Sequence, residues 1–521
     1  KLIVNKEDTM NTKHFLLAGA GILTAFAMAA PASAQKSKDT LRVGFYQPVR
    51  LVDSYFQPGP EASLVTRMVF DFLVTYDPTN RKYLPGIAAS WKRISPTTME
   101  FKIKTDLKWS DGTALTMDDI EYTYKFAMDP KVKYRFKATR INWIKNFQRV
   151  DNTTFRINSK IPMAVMLAKM TNFPSIYPKH IHDKLAKKNE FGQKAIGSGP
   201  FKVASFESGK AITLVKNSSY KNIAFGKPEA QLNRVQIFPR PDEQSQVASL
   251  LTGQQDLMYN MDKDQALELA SRDDIRVNVQ DSVSFSYMMF DVKGRSGFKH
   301  FANPKVRRAL MHAVNRKELR KLVHPEITRE LGTVCHPWVQ NCNWSVEPPK
   351  YDPALAKRLL AEAGLANGFE IPILTWGEAR ATAEAVAGQL RKIGIKASVN
   401  LQSFGGFIKT RRKGQPLLVT LWDNSVGQPD IDNTASYFYL PSSRNYNKDP
   451  ELQALATKGR GIIDPKARAE VYKKLFDEST RRSYLMPLIP LPAIVAHHKD
   501  VKLLGGHKNP KGFEFNRVAW N

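Results

Sequence analysis

Residues 417–432 read LLVTLWDNSVGQPDID. The run 417–421 is apolar apart from Thr420, the pattern of a strand buried on both faces. It stops at Trp422 and Asp423, and a loop rich in Gly, Pro and Asp follows. A carboxylate beside an indole, where a buried strand emerges into a loop, suits capture of a cationic or amphipathic small molecule. A lone aspartate there also serves as a turn or helix cap, and the stretch alone leaves both readings open.

Working outward, the 521 residues, 42% of them hydrophobic, suffice for a sizeable core and for two or three lobes. No long low-complexity tract argues for disorder. Residues 10–34 have the layout of a cleavable export leader: Met10, then Lys13 and His14, a mostly apolar run over 15–30, and Pro31-Ala32-Ser33-Ala34. Cleavage is expected after Ala34. The run is shorter than the ~20 residues a bilayer-spanning helix needs. The residue immediately after the cleavage point is Gln35 and not a cysteine, so the expectation is an exported, periplasmic chain without a lipid anchor.

The only cysteines, Cys335 and Cys342, most simply form a disulfide pinning one loop in an exported chain. Closing so short a loop is worth roughly 2–3 kcal/mol by chain entropy. Metal ligation with His336 is the rival reading, and it lacks a second ligand pair at usable spacing.

The net charge is +29, from 78 basic and 49 acidic residues. Loss of the leader removes Lys1, Lys6 and Lys13 against Glu7 and Asp8, so the imbalance persists. Such a field favours anionic surfaces, anionic ligands or nucleic acid. The basic residues are scattered, with the densest clusters at 131–140 and at Arg411, Arg412 and Lys413. No zinc-finger or RNA-binding aromatic signature accompanies them, and a solvated basic surface is expected rather than a nucleic-acid interface.

The remaining chain supplies elements in α/β order. LRVGFY at 41–46 predicts an opening strand, and 61–76 predicts a helix from Leu64, Met68 and Phe72 with Val65, Val69 and Leu73 beside them. Residues 98–104 alternate Met99, Phe101 and Ile103 with polar residues, a half-buried strand. WSDGTALTMDD, 109–119, places a turn at Asp111-Gly112 and a cap at Thr116 for a helix over 117–127. In 303–323, Val306, Leu310, Ala313 and Val314 mark an amphipathic helix with its basic residues outward. Pro353 after Asp352 opens another helix and Gly364 closes it. Residues 370–376, a helix to 393, and 396–402 read as strand, helix, strand.

WSDGTALTMDD resembles the signature of the family 5 extracellular solute-binding proteins, the peptide- and nickel-binding partners of ABC importers. Gly197-Ser198-Gly199-Pro200-Phe201 resembles that family's Gly-Thr-Gly-Pro-aromatic turn. NPKVRRALMHAVNRKELRKLV (303–323), YDPALAKRLLAEAG (351–364), QLRKIGI (389–395) and residues 422–430 resemble further pieces, in the family's order. The resemblance implies an α/β fold of two lobes, a type II periplasmic binding protein with an extra subdomain and a two-strand hinge. The expected division is 35–76, 195–295 and 485–521 for the first lobe's core, 77–194 for the extra subdomain and 296–484 for the second lobe, with 1–34 the upstream and leader segment. Residues 283–292 would leave the first lobe as one strand and 484–495 would return as another. Such a pair lets lobes close while limiting other motions.

The resemblance also implies site residues. Asp423 matches the position where peptide-specific members pair an aspartate with the ligand's α-ammonium, and Trp422 lies close to an aromatic of the same site. Arg380 lies near where dipeptide binders hold a carboxylate; an exposed first-turn arginine is an equal reading. Tyr46 would face the cleft from the first lobe. The family's Gly-Asp-Pro-Asp loop reads Gly427-Gln428-Pro429-Asp430 here, with two residues inserted after Asn424, which puts loop shape and ligand size in question. A peptide is zwitterionic, so its buried capture needs a carboxylate at one end and a guanidinium at the other.

Motifs for covalent chemistry are missing. Ser198 has Ile196 and Pro200 where a nucleophile elbow has glycines, which makes it a turn residue. Ala204 and Ala211 break the phosphate-loop pattern around Gly209-Lys210, and no H-E-x-x-H occurs. His180, His182, His497 and His498 could touch a metal, surface histidines being the commoner case. The expectation is a monomeric carrier, not an enzyme and without a cofactor, that captures a peptide or peptide-like solute for an inner-membrane ABC permease. Rival readings are the same fold binding an opine, an oligosaccharide, nickel or haem, and, from another class, a secreted hydrolase.

Overall fold

Leu417–Trp422 is the middle strand of a five-stranded sheet ordered Lys396–Gln402, Glu370–Trp376, Leu417–Trp422, Phe285–Phe290, Leu485–Pro490. The structure, a computed structural model, describes residues 39–521 except 78–79, 222–226, 281, 328–329, 335, 337–338, 340–341, 343–345, 348, 423–429 and 505–513. The first three strands of the sheet are parallel and the last two antiparallel to their neighbours. Leu417 and Val419 pack with Met288 and Phe290 on one face, Leu418 with Phe285, Tyr287 and Met289 on the other. Covering on both faces is why the run carries almost no polar residue.

The other lobe is built on a seven-stranded sheet: Ile275–Gln280, Ala493–His498, Leu257–Tyr259, Thr40–Phe45, Arg234–Pro239, Ala211–Lys216, Phe201–Glu207. Thr40–Phe45 runs parallel to both neighbours at its centre. A four-stranded antiparallel sheet, Ala88–Ser95, Thr98–Ile103, Thr154–Ser159 and Ile144–Arg149, forms the extra layer beside it. The two-lobed α/β architecture with an added subdomain is the one expected.

The chain passes between the two large sheets twice, from Ile275–Gln280 to Phe285–Phe290 and from Leu485–Pro490 to Ala493–His498. The passages lie side by side: the Leu491 N–H donates to Ser284 O (3.0 Å) and the Ser282 hydroxyl to Leu491 O (2.6 Å). This corrects the expected boundaries at 295 and 485. Phe285–Phe290 and Leu485–Pro490, assigned above to the first lobe, pair with each other inside the second lobe's sheet. All twelve residues are buried, Phe285–Phe290 as an inner strand and Leu485–Pro490 as the edge strand of that sheet. Residues 484–495 are accordingly two strands in two sheets rather than one.

The signature segment folds by local hydrogen bonding. Gly112 turns the chain at φ 91°, and Thr116 and Asp119 form a reciprocal capping box on the helix Met117–Met128. Trp109 is fully buried and donates from Nε1 to Asp119 Oδ2 (3.3 Å). Gly197 lies where a Cβ would stand 1.9 Å from Val69 O, so only glycine permits this approach. Ser198 accepts from the Asp71 N–H (3.3 Å) at that turn.

Two expectations change. The helix predicted over 61–76 is Pro60–Val69, followed by the strand Val74–Asp77. It stops because the buried Lys227 ammonium binds Phe70 O (2.8 Å) and the Asp71 carboxylate (2.9 Å), pulling that segment out of the helix. In the helix Pro304–Ala313 the basic residues do not all face outward: Arg307 is 4% exposed and donates to the carbonyls of Phe301, Ala302, Arg482 and Ser483. Those carbonyls lie where helical or turn segments end and would otherwise be buried without donors.

Among the described residues no helix is long and apolar enough to cross a membrane. The leader, residues 1–34, lies outside the described residues, as does Cys335 and with it the bridge expected to Cys342.

Candidate binding site

In each large sheet the parallel strands end on the same side. Thr40–Phe45, Arg234–Pro239 and Leu257–Tyr259 end at Phe45, Pro239 and Tyr259; Glu370–Trp376, Lys396–Gln402 and Leu417–Trp422 end at Trp376, Gln402 and Trp422. The carboxyl ends of parallel strands are where open α/β sheets hold ligands.

Tyr46 follows the first of these ends. It is half-buried, donates to Asn260 O (3.3 Å) and meets the Tyr259 ring edge-on at 5.9 Å. Burial pushes its hydroxyl well above the usual phenol range, and the field of Glu243, Glu378, Asp262 and Glu61 adds to it. Glu378 comes from the second lobe and the other three from the first. Acidic groups of both lobes therefore converge on Tyr46.

Arg380, two residues beyond Glu378, opens the helix Arg380–Arg391. It is exposed, and its Nε donates to Glu384 Oε1 (2.8 Å), an i,i+4 surface pair. This position matches the first-turn reading of Arg380. Trp422 is half-buried against Tyr437, ring centroids 4.1 Å apart, and its Nε1 is shielded from solvent without an acceptor among the described residues. Asp423 lies outside the described residues.

The carboxylates at the far end of that loop serve the fold. Asp430 caps the helix Ile431–Tyr439, accepting from the Asp432 N–H (2.8 Å), and takes a two-pronged contact from Arg468. Burial alone would raise the Asp432 carboxyl, but Arg460, Lys169 and Arg468 hold it down at about 2.

Sequence reasoning missed one constellation. The basic clusters at 131–140 and 411–413, read above as solvated surface, face each other across the lobes. Phe136 has the guanidinium carbons of Arg135, Arg140 and Arg444 over its ring at 4.7, 5.7 and 5.6 Å. Arg444 lies simultaneously 4.9 Å from the Tyr437 ring, and Arg411, 7% exposed, donates to the Tyr437 hydroxyl. Burial holds Arg140 down to about 10 and lowers Arg444, where Arg411, Arg135 and Arg412 add repulsion. The available signal was the aromatic residues set among the charges, Tyr134 and Phe136 in YRFKATR (134–140) and Tyr437.

The histidines do not converge. His180 contacts Asp111 (2.8 Å) at the surface, while His182 is buried, hydrogen-bonded to the Tyr122 hydroxyl (2.7 Å) and stacked on Tyr177 at 3.9 Å. Burial and Lys188 lower His182 to about 4, which keeps it neutral. His497 is bonded to Asn278 (2.8 Å). Among the described residues no three His, Cys, Asp or Glu side chains are grouped to hold a metal.

Two sheets offering their strand ends across a pair of adjoining chain passages, with charged and aromatic side chains from both, define a two-lobed solute-binding protein. The model of the bacterial extracellular solute-binding proteins, family 5, middle region, matches residues 82–446, and the chain belongs to that family. The heme-binding protein A of Haemophilus influenzae is 25% identical over 451 residues, covering 80% of each chain. The glutathione-binding protein GsiB of Escherichia coli is 26% identical over 434 residues, 78% of this chain and 80% of the other. The ABC transporter-associated periplasmic binding protein DppA from Helicobacter pylori, solved with the peptide STSA, has a TM-score of 0.80 at 22% identity, over 92% of this chain and 97% of that one.

Proposed function

We propose that this chain is the periplasmic substrate-binding protein of an ABC importer. It captures a peptide or peptide-like solute by lobe closure and hands it, chemically unchanged, to an inner-membrane permease. It is exported by the leader cleaved after Ala34 and works as a monomer without a cofactor. The observation that supports this reading best is the facing of parallel-strand ends across a two-passage hinge, acidic around Tyr46 and basic around Phe136. A zwitterion laid between such poles finds a partner for each charge.

In this reading Asp423 takes the ligand ammonium, Trp422 flanks it and Tyr46 meets it from the other lobe. The guanidinium for the opposite end comes from the cluster about Phe136 rather than from Arg380, whose charge is engaged by Glu384. Removing the carboxylate leaves a buried ammonium unpaired, at a cost of roughly 3–5 kcal/mol. Asp423→Ala is therefore expected to weaken binding about a hundredfold or more.

Native mass spectrometry of protein purified without denaturation identifies the retained solute, and calorimetry with that solute measures the variant. Unchanged affinity removes Asp423 from the site. An opine, an oligosaccharide, nickel or haem in the spectrum replaces the peptide while leaving the carrier. Turnover of a peptide or ester library replaces the carrier with a hydrolase.

A further inference from the structure

Arg135, Arg140 and Arg444 surround the Phe136 ring and Arg411 joins Arg444 at the Tyr437 ring, with Arg412 next in the chain. Elsewhere in the same molecule several buried or half-buried arginines are paired with carboxylates, Arg42 with Asp256, Arg460 with Asp432, Arg468 with Asp430 and Arg482 with Asp449, while Arg307 and Arg316 are met by backbone carbonyls. Among the described residues none of Arg135, Arg140, Arg411, Arg412 and Arg444 makes an ion pair with a carboxylate. Arg140 has the Ser54 carbonyl (2.6 Å) and Arg411 the Tyr437 hydroxyl. Arg411 Nε and Trp422 Nε1 are both shielded and have no acceptor among the described residues. Donors buried without acceptors are costly, and a site that keeps several together is completed by what it binds.

Backbone conformation points to the same place. Phe136 is held at φ 66°, a region a bulky side chain rarely enters. Strain of this kind persists where the surroundings fix a side chain for use, and here it sets one ring beneath three guanidiniums. Arg444 lies against Phe136 of the first lobe and Tyr437 of the second, so closing the lobes brings these charges together. Like charges at this spacing oppose closure until an anion lies among them.

Resting on the binding-protein reading above, we propose that the solute carries two or more clustered carboxylates. They are gripped between the Arg135–Phe136–Arg140 side and the Arg411–Arg412–Arg444 side of the cleft. Guanidinium forks donate to carboxylates two-pronged, and the flanking rings hold the forks flat against a planar group. A polycarboxylate, such as an acidic peptide, thereby closes the lobes and a neutral peptide of equal length does so poorly.

The test is calorimetry of the full chain with tri-aspartate and with tri-asparagine, both with free termini, on wild type, Arg135→Gln and Arg444→Gln, with thermal melts to establish that the variants fold. Tri-aspartate is expected to bind at least tenfold tighter than tri-asparagine. Arg444→Gln is expected to erase most of that preference. Equal affinity for the two peptides, or a preference untouched in both variants, overturns the inference and leaves the binding-protein reading standing. Displacement of tri-aspartate by pyrophosphate at lower concentrations than by unlabelled tri-aspartate overturns the carboxylate assignment in favour of phosphates. Citrate probes the cluster without a peptide. If neither peptide binds but citrate compacts wild type and not Arg444→Gln in solution scattering, the polycarboxylate grip stands and the peptide reading falls. No response to any of these probes overturns both.

Discussion

Asp53 shows how burial and hydrogen bonding compete at one residue. It is 1% exposed and accepts from the Tyr177 hydroxyl (2.8 Å) and from the N–H groups of Tyr55 (2.7 Å) and Phe56 (3.1 Å). Burial nevertheless outweighs these and pushes the carboxyl up to about 6 from its ordinary 3.8. The native state thus binds more protons than the unfolded chain between about pH 4 and 6, so this group's contribution to stability falls as pH rises through that window. Above it the penalty is complete, on the order of 3 kcal/mol at most. Asp53→Asn is expected to be more stable than wild type by about 1–3 kcal/mol at pH 7.5, the advantage vanishing near pH 4. Urea unfolding at the two pH values measures it, and a variant weaker at pH 7.5 would mean that the charged form is well solvated. Residues of this sort are illegible in a sequence, because a buried aspartate and an exposed one are the same letter. The arginines about Phe136 were half legible: their density stood out, but which cluster faces which depends on contacts between segments 270 or more positions apart.

At the scale of elements, what could be read was what is local. Asp352 before Pro353 caps its helix by accepting from the Leu355 N–H (2.8 Å), Thr116 and Asp119 make their box, and Gly364 ends a helix at φ 76°. The five-residue run 417–421 was readable for a similar reason, since burial on both faces leaves a continuous apolar signature. The end of the helix Pro60–Val69 was not, because Lys227, remote in sequence, decides it. The Asp430–Arg468 pair belongs here too: it fastens the start of Ile431–Tyr439 to the helix Pro465–Arg481. Breaking a buried pair by removing one partner costs about 3–5 kcal/mol. Arg468→Ala should therefore lose that much in chemical denaturation. The double variant with Asp430→Asn should lose less than the sum, because no bare charge is left inside. Solute affinity per folded molecule should stay at the wild-type value in both, which separates Asp430 from the site residue proposed at Asp423.

For the whole molecule the decisive balance is between the hinge and the charge it brings together. The two passages at 282–284 and 491–492 are bonded to each other, so lobe motion bends both at once and the rims move along one path. On that path Arg444 arrives between Phe136 and Tyr437, and Arg135 approaches Arg412, whose repulsion contributes to lowering Arg135 below its ordinary value after burial. Without solute this cost is electrostatic, and the part of it that falls on the exposed Arg135 and Arg412 should be relieved by salt. The screening length falls from about 10 Å at 0.1 M to about 3 Å at 1 M. Ligand-free wild type is thus expected to become more compact in solution scattering as sodium chloride rises from 0.05 to 1 M. Arg135→Gln with Arg444→Gln should be compact already at the lower salt and change little. An open-to-compact response identical in both proteins would place the repulsion elsewhere, and a wild-type profile indifferent to salt would mean that charge does not set the resting position of the lobes.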